Sequence, residues 1–295
     1  MPVQSYLPTM PPYTYSSEEH PLVFVMYMPS NPTPNALMAL LWNCGFEPKL
    51  VSLLELQKMN LTELPTVRGV IITGTSNMQD SRVGVHMVST LIKHNFATRS
   101  IMRSLLQSPN VFSMFFGADA ATAAFEMGLI KLGTSRRNNI VCAPNASRQY
   151  ESRWVTVQIP FRTKCRAFAR MKAANLTDTK FILPCWVQGT HLGFTHGSPD
   201  AFNQLQDQGM VAALYHQPRP DDGLAERYPE NPTETMPVAA ICSSSGRHLA
   251  TTFDPALSSF AWQWPSYSHP PRAPTMMTSP WKLMFATMYE WAVIG

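Results

Sequence analysis

A run of apolar residues that passes through glycine into a helix of small residues is where an α/β sheet places a nucleophile. Residues 113–125, SMFFGADAATAAF, form such a junction. In hydrolases built on this turn one side chain stands exposed above the sheet and attacks, while the following backbone N–H groups hold the oxyanion. Here that position is expected at Phe115, which has no lone pair, no ionisable proton and no route to a covalent intermediate. Other reactive side chains are dispersed. Asp254 precedes Pro255, the pattern of a turn former, and needs a large upward shift to act as a base near neutral pH. His248, in GRHLA, falls on an expected strand and reads as a hydrogen-bonded structural histidine. Cys142 and Cys185 are the candidates for a displaced thiol. Cys185 lies inside an apolar strand, where burial makes thiols inert.

The five cysteines (Cys44, Cys142, Cys165, Cys185, Cys242) form no CxxC pair and no Cys/His cluster at metal spacing. Neither a metal nor a cofactor is expected, and the dispersed odd set fits a reducing compartment. The net charge of +4 is mild, and the cluster of Arg136 and Arg137 with Lys131 is too thin for a nucleic-acid footprint. No apolar run approaches the roughly 20 residues that span a bilayer, and no signal-peptide pattern opens the chain. Asn60, Asn145 and Asn175 stand in N-x-S/T triplets, read as chance without a secretion signal. Charged residues are only 14% of the chain, against about 25% in an ordinary soluble domain, so part of the surface is expected to be covered by partners. Apolar residues such as Met87, Leu91, Met284 and Met288 are spaced to face more than one side of their helices.

Elements that would position these residues follow from periodicity. Residues 1–20, rich in Pro, Tyr and Ser, read as an extended lead-in, and 21–295 as a single domain. LVFVMYM (22–28), KLVSL (49–53), VRGVIITG (67–74) and VFSMFFG (111–117) are apolar runs of strand length. Helices are expected after residue 34, ending at Gly45, over 84–107, over 118–128 and from 281 to 293. This rhythm is that of a parallel sheet with helices on both faces. The second half reads as short strands at 154–159, 181–187, 210–215 and 238–253, the last a hairpin turning at Ser245 and Gly246.

Several blocks, in one order, resemble the C-terminal glutaminase domain of phosphoribosylformylglycinamidine synthase, a class I glutamine amidotransferase. PNASRQYESRW (144–154), LPCWVQG (183–189), NPTETMPVAAICSSSGRHLATTFDPALSSFAWQW (231–264) and SPWKLMF (279–285) carry the likeness. It implies a flavodoxin-like fold: a central, mostly parallel sheet with helices on both faces plus added antiparallel strands. The family's G-V-C-N-G-C-Q falls on residues 113–119, which sets Phe115 in place of the nucleophilic cysteine. H-P-E falls on Asp254, Pro255 and Ala256, so neither the base nor its orienting carboxylate is kept. The glycine-rich oxyanion segment falls on residues 73–79 and keeps only Gly74 and Ser76. A Phe115 and Phe116 pair is expected to fill the vacated pocket.

The degenerate form is similar to that of the large tegument proteins of gammaherpesviruses, through CAPNASRQYESRW, LPCWVQG and the Trp-Gln-Trp of 262–264. That resemblance implies a pseudoenzyme module of a virion tegument protein, present in the host nucleus and cytoplasm. It implies docking on upstream synthase-like domains of the same polypeptide. It also implies action on host antiviral proteins, notably the nuclear bodies organised by the promyelocytic leukaemia protein. Nucleic acid and membrane are not expected partners. Two other readings stay open: an amidotransferase or protein deamidase using an unusual thiol or a recruited host synthase, and a purely architectural tegument subunit.

Overall fold

The computed structural model describes residues 20–28, 34–58, 61–74, 86–133, 140–177, 182–216, 231–233, 236–260 and 279–294. Nine strands form one sheet in the order β2-β1-β3-β4-β11-β10-β9-β6-β7. Its first five are parallel: β2 (Glu47–Ser52), β1 (Leu22–Tyr27), β3 (Val67–Thr73), β4 (Phe112–Phe116) and β11 (His248–Thr251). Each of the next four runs antiparallel to its neighbour: β10 (Val238–Cys242), β9 (Val211–Tyr215), β6 (Glu151–Gln158) and β7 (Leu183–Gly189). The expected parallel core with an antiparallel extension is therefore present. The runs at 22–28, 67–74 and 111–117 are continuous because their strands are covered on both faces. All five residues of β4 are buried.

The helices sort onto the two faces. α1 (Asn35–Asn43) and α7 (Trp281–Ile294) cover one, where Val23, Val25, Ile71, Met114 and Phe116 meet Leu37, Leu41, Trp281, Met284 and Met288. α2 (Met87–His94), α3 (Phe96–Gln107) and α4 (Ala118–Glu126) cover the other, against Phe24, Met26, Val70, Ile72 and Phe115. Alternation along the strands does this sorting, since successive side chains point to opposite faces. Met284 and Met288 are core residues, and Met87 and Leu91 pack partly buried against the second face. The all-round apolar character of α7 thus reflects burial in the core, not an exposed patch.

Several boundaries differ from the sequence expectation. The single helix expected over 84–107 is two helices, because Asn95 turns to an extended backbone and caps α3 by accepting from Thr98 N–H at 3.0 Å. Two short strands that periodicity did not signal, β5 (Ile140–Ala143) and β8 (Gly193–His196), make a separate antiparallel pair. The short helices α5 (Ala169–Ala173) and α6 (Ala201–Asp207) also lacked a sequence signal. α1 closes as expected near Gly45, with Gly45 N–H on Trp42 O and Phe46 N–H on Leu41 O.

Candidate functional site

β3 and β4 deliver the junction to the C-terminal end of the parallel strands, where ligands gather in open α/β sheets. The register sets Ile72 beside Phe115 and Thr73 beside Phe116, while β11 sets Ala250 and Thr251 on the other side. Phe115 is not at the turn. It is a fully buried strand residue facing α2–α4, two positions before the chain reverses. Phe116 faces the opposite side and meets Phe285 edge to ring at 6.3 Å. The two rings therefore do not fill one pocket together, because strand alternation sends them to opposite cores.

The residue at the turn is Gly117, with φ 90° and ψ 159°. A side chain in that region is strained, and glycine removes the strain along with any nucleophile. Gly117 N–H donates to Thr251 O at 3.0 Å, and its carbonyl accepts from Ala121 N–H as α4 begins. Gly74 is tied into the same junction. Its N–H donates to Phe116 O at 2.8 Å and its carbonyl accepts from Asp119 N–H at 3.1 Å. A Cβ on Gly74 would lie 2.8 Å from Ala120 N, so the first turn of α4 fits only against glycine there. The donor expected of an oxyanion segment is thus spent inside the fold. Ser76 and the rest of 75–79 lie outside the described residues.

Asp119 is the ionisable group beside this turn, and sequence reasoning gave it no role. Its carboxylate accepts from Val88 N–H at 3.0 Å and is almost wholly buried. Burial pushes it up to about 7, against the pull of the bonds from the Val88 and Met87 backbone. The signal available in sequence was an acid in the first turn directly after a glycine. Cys142 reaches the same turn: its thiol donates to Ala118 O at 3.3 Å and accepts from Thr122 Oγ1 at 3.5 Å. Burial raises it to about 12, so it is held as the thiol.

Asp254 begins the short 3₁₀ turn Pro255–Ser258 and caps it, its carboxylate accepting from Ala256 N–H at 2.9 Å. Burial raises it to about 6. Ala256 is buried in the α1/α7 core. Asp254 also lies close enough to push the buried thiol of Cys185 further up. Cys44, raised to about 12 by burial, and Cys165, raised well above the usual thiol range for the same reason, are closed to thiolate chemistry as well. Cys242 is lowered by a hydrogen bond from Cys165 but is fully enclosed.

The motif blocks that do match serve packing. Asn145 accepts from Leu192 N–H and donates to the carbonyls of Gln149 and Gly189, which ties together the loops around β6, β7 and β8. Asn231 accepts from both the N–H and the hydroxyl of Thr233. Trp281 is buried, its indole N–H on Pro184 O at 2.8 Å, whereas 262 and 264 lie outside the described residues. Among the described residues no group of three or more His, Cys, Asp or Glu side chains is placed to hold a metal. No described helix is long and apolar enough to cross a membrane.

Parallel strands covered by helices on both faces, with a strand-to-helix elbow beside an antiparallel extension, define a flavodoxin-like α/β protein of the glutamine amidotransferase kind. The chain belongs to the family of CobB/CobQ-like glutamine amidotransferase domains, which it matches over residues 20–292. It is 35% identical over 272 residues to the "Probable membrane antigen 3" of Saimiriine herpesvirus 2, covering 92% of this chain and 21% of that protein. It is 36% identical over 297 residues to the "Probable tegument protein antigen 3" of Alcelaphine herpesvirus 1, covering 96% and 21%. The "Major tegument protein" of Epstein-Barr virus is 29% identical over 286 residues, covering 92% and 21%. The chain thus spans about a fifth of the length of these relatives.

Proposed function

We propose that this chain is a non-catalytic glutamine amidotransferase-like domain of a herpesvirus tegument protein and works by binding other proteins. The observation that carries the reading is Gly117. At the strand-to-helix turn, where α/β hydrolases present a nucleophile, this chain has a glycine, and the preceding phenylalanines face the two cores. Asp254 and Ala256, aligned by resemblance with the base and its orienter, cap and fill a 3₁₀ turn. The names of the herpesvirus relatives support a place in the tegument. Synthase-like domains of a longer polypeptide and host antiviral proteins, those of the promyelocytic leukaemia nuclear bodies included, are the partners this reading assigns. Residence in the host nucleus and cytoplasm goes with it.

The test is chemical. The chain is incubated with glutamine while ammonia is measured, and separately with a diazoketone analogue of glutamine followed by intact mass. No ammonia above background and no stoichiometric adduct is expected. An adduct mapped to any of the five cysteines, together with ammonia release, would overturn the reading.

A further inference from the structure

At the other end of the parallel strands from Gly117, four cations share one face. Arg162, Lys164 and Arg166 alternate with the buried residues Thr163, Cys165 and Ala167, so all three point to solvent. Arg247 joins them from the turn between β10 and β11, close enough to Arg166 for the two guanidinium groups to repel each other. Among the described residues none of the four is in an ion pair. Glu290, next in the chain to the Trp291 that Arg166 covers, is committed to Arg170.

The backbone beneath these cations is fixed. Lys164 N–H donates to Gly209 O at 2.8 Å and Arg166 N–H to Gly246 O at 3.0 Å. Lys172 Nζ holds Thr163 O from behind at 2.9 Å. Two of the side chains are fixed as well. Arg166 lies over the Trp291 ring at 5.6 Å, and Arg247 is bonded to the carbonyls of Ser108 and Leu106 at the end of α3. Like charges held together without a counter-charge raise the free energy of the isolated chain and are relieved by an anion. Pre-organised guanidinium groups also lose little entropy when a planar carboxylate arrives.

From this geometry we infer that Arg162, Lys164, Arg166 and Arg247 form a docking surface for an acidic, carboxylate-rich segment of a partner protein. Four cations on one short face match a few carboxylates better than a nucleic-acid backbone, for which roughly 6–10 phosphate contacts are typical of a binding protein. The surface is independent of the elbow, so the outcome of the glutamine assay does not bear on it.

The experiment is fluorescence anisotropy of the full chain with a labelled peptide of alternating aspartate and glutamate, with single-stranded DNA of equal charge as the comparison. The peptide is expected to bind more tightly than the DNA. Arg162→Glu with Lys164→Glu should weaken peptide binding at least tenfold. Lys58→Glu with Lys93→Glu, an equal charge change on the 3₁₀ turn after β2 and on α2, should weaken it less than threefold. Arg162→Gln with Lys164→Gln gives the same direction of change without charge reversal, and melting curves of each variant verify the fold. Absence of peptide binding, equal loss in the two charge-reversed pairs, or tighter binding of DNA would each overturn the inference.

Discussion

The carboxylate of Asp119, in the first turn of α4, accepts the backbone N–H of Val88 at 3.0 Å and so caps the N-terminus of the neighbouring helix α2. A residue that the resemblance aligns with the last position of the family's G-V-C-N-G-C-Q motif thus has a structural job. It holds two helices of the same face together just after the elbow.

This cap titrates in an unusual range. Asp119 is held near 7 when folded, above the 3.8 of a free aspartate, so the folded state binds the extra proton between those values. Its contribution is therefore most favourable at low pH and is lost as pH rises from about 4 to about 7. Asp119→Asn keeps the accepting oxygen and removes the buried charge. At pH 8 it should stabilise the chain by about 1–3 kcal/mol, while Asp119→Ala at pH 5 should cost about 1 kcal/mol through loss of the cap. Urea unfolding of both variants at the two pH values is the check, and an Asn variant less stable than wild type at pH 8 would refute the assignment.

His248 gives a pH dependence of opposite sign. Its Nδ1 sits 2.7 Å from Ser113 Oγ, where β11 and β4 begin, and burial with the nearby Arg247 lowers it to about 4. The unfolded chain takes up a proton near 6.5 that the folded chain refuses, so stability falls as pH drops from about 6.5 to about 4. Ser113→Ala leaves a buried ring nitrogen without its partner and should cost about 1–3 kcal/mol at pH 7. A loss of stability below about 0.5 kcal/mol would mean that another group satisfies the imidazole.

Much of this architecture was legible because it rests on runs that physics makes hard to misread. LVFVMY and FSMFF are continuous apolar runs of strand length, as strands covered on both faces require. The resemblance puts the nucleophile position at Phe115, two residues before the turn. Motif alignment weighs Phe115 by its neighbours in sequence, whereas the turn falls where positive φ is tolerated, at Gly117. β5 and β8 were missed because four-residue strands carry almost no periodicity. The cationic face was missed for a different reason. Arg162, Lys164 and Arg166 stand within five residues of the chain, but the reading of charge settled on Arg136 and Arg137 with Lys131, and only the fold brings Arg247 to them.

Gly246, the glycine of the β10–β11 hairpin, is expected to be sensitive to substitution. It has φ +71°, and a Cβ there would lie 1.9 Å from the carbonyl oxygen of Lys164. Gly246→Ala adds the left-handed penalty of about 1–2 kcal/mol to a backbone clash with no flexible partner. A total of about 3 kcal/mol or more, read by thermal unfolding, is the expected cost. Acidic-peptide binding should fall with it, because Arg166 N–H loses its seat on Gly246 O. A variant that is as stable as wild type would show that the 164–166 segment is free to move.

The last expectation separates the two positions proposed for the vanished nucleophile. Phe115→Cys places a thiol inside β4, facing a core of buried side chains, where alkylating reagents and glutamine cannot reach it. Gly117→Cys places it at the turn, next to the N-terminus of α4, whose positive end favours a thiolate. The strain of a side chain at φ 90° costs about 1–3 kcal/mol and should appear as a lower melting temperature. Each is combined with Asp254→His and Ala256→Glu, and iodoacetamide labelling is followed by mass. The 117 variant should label at least tenfold faster than the 115 variant. Neither should turn over glutamine, because the N–H of Gly74 is already bonded to Phe116 O, and a missing oxyanion donor costs about 3–4 kcal/mol of transition-state stabilisation. Fast labelling at 115 would move the elbow back to the position that sequence alignment assigns. Turnover by either variant would show that a glutamine pocket survives beside the turn.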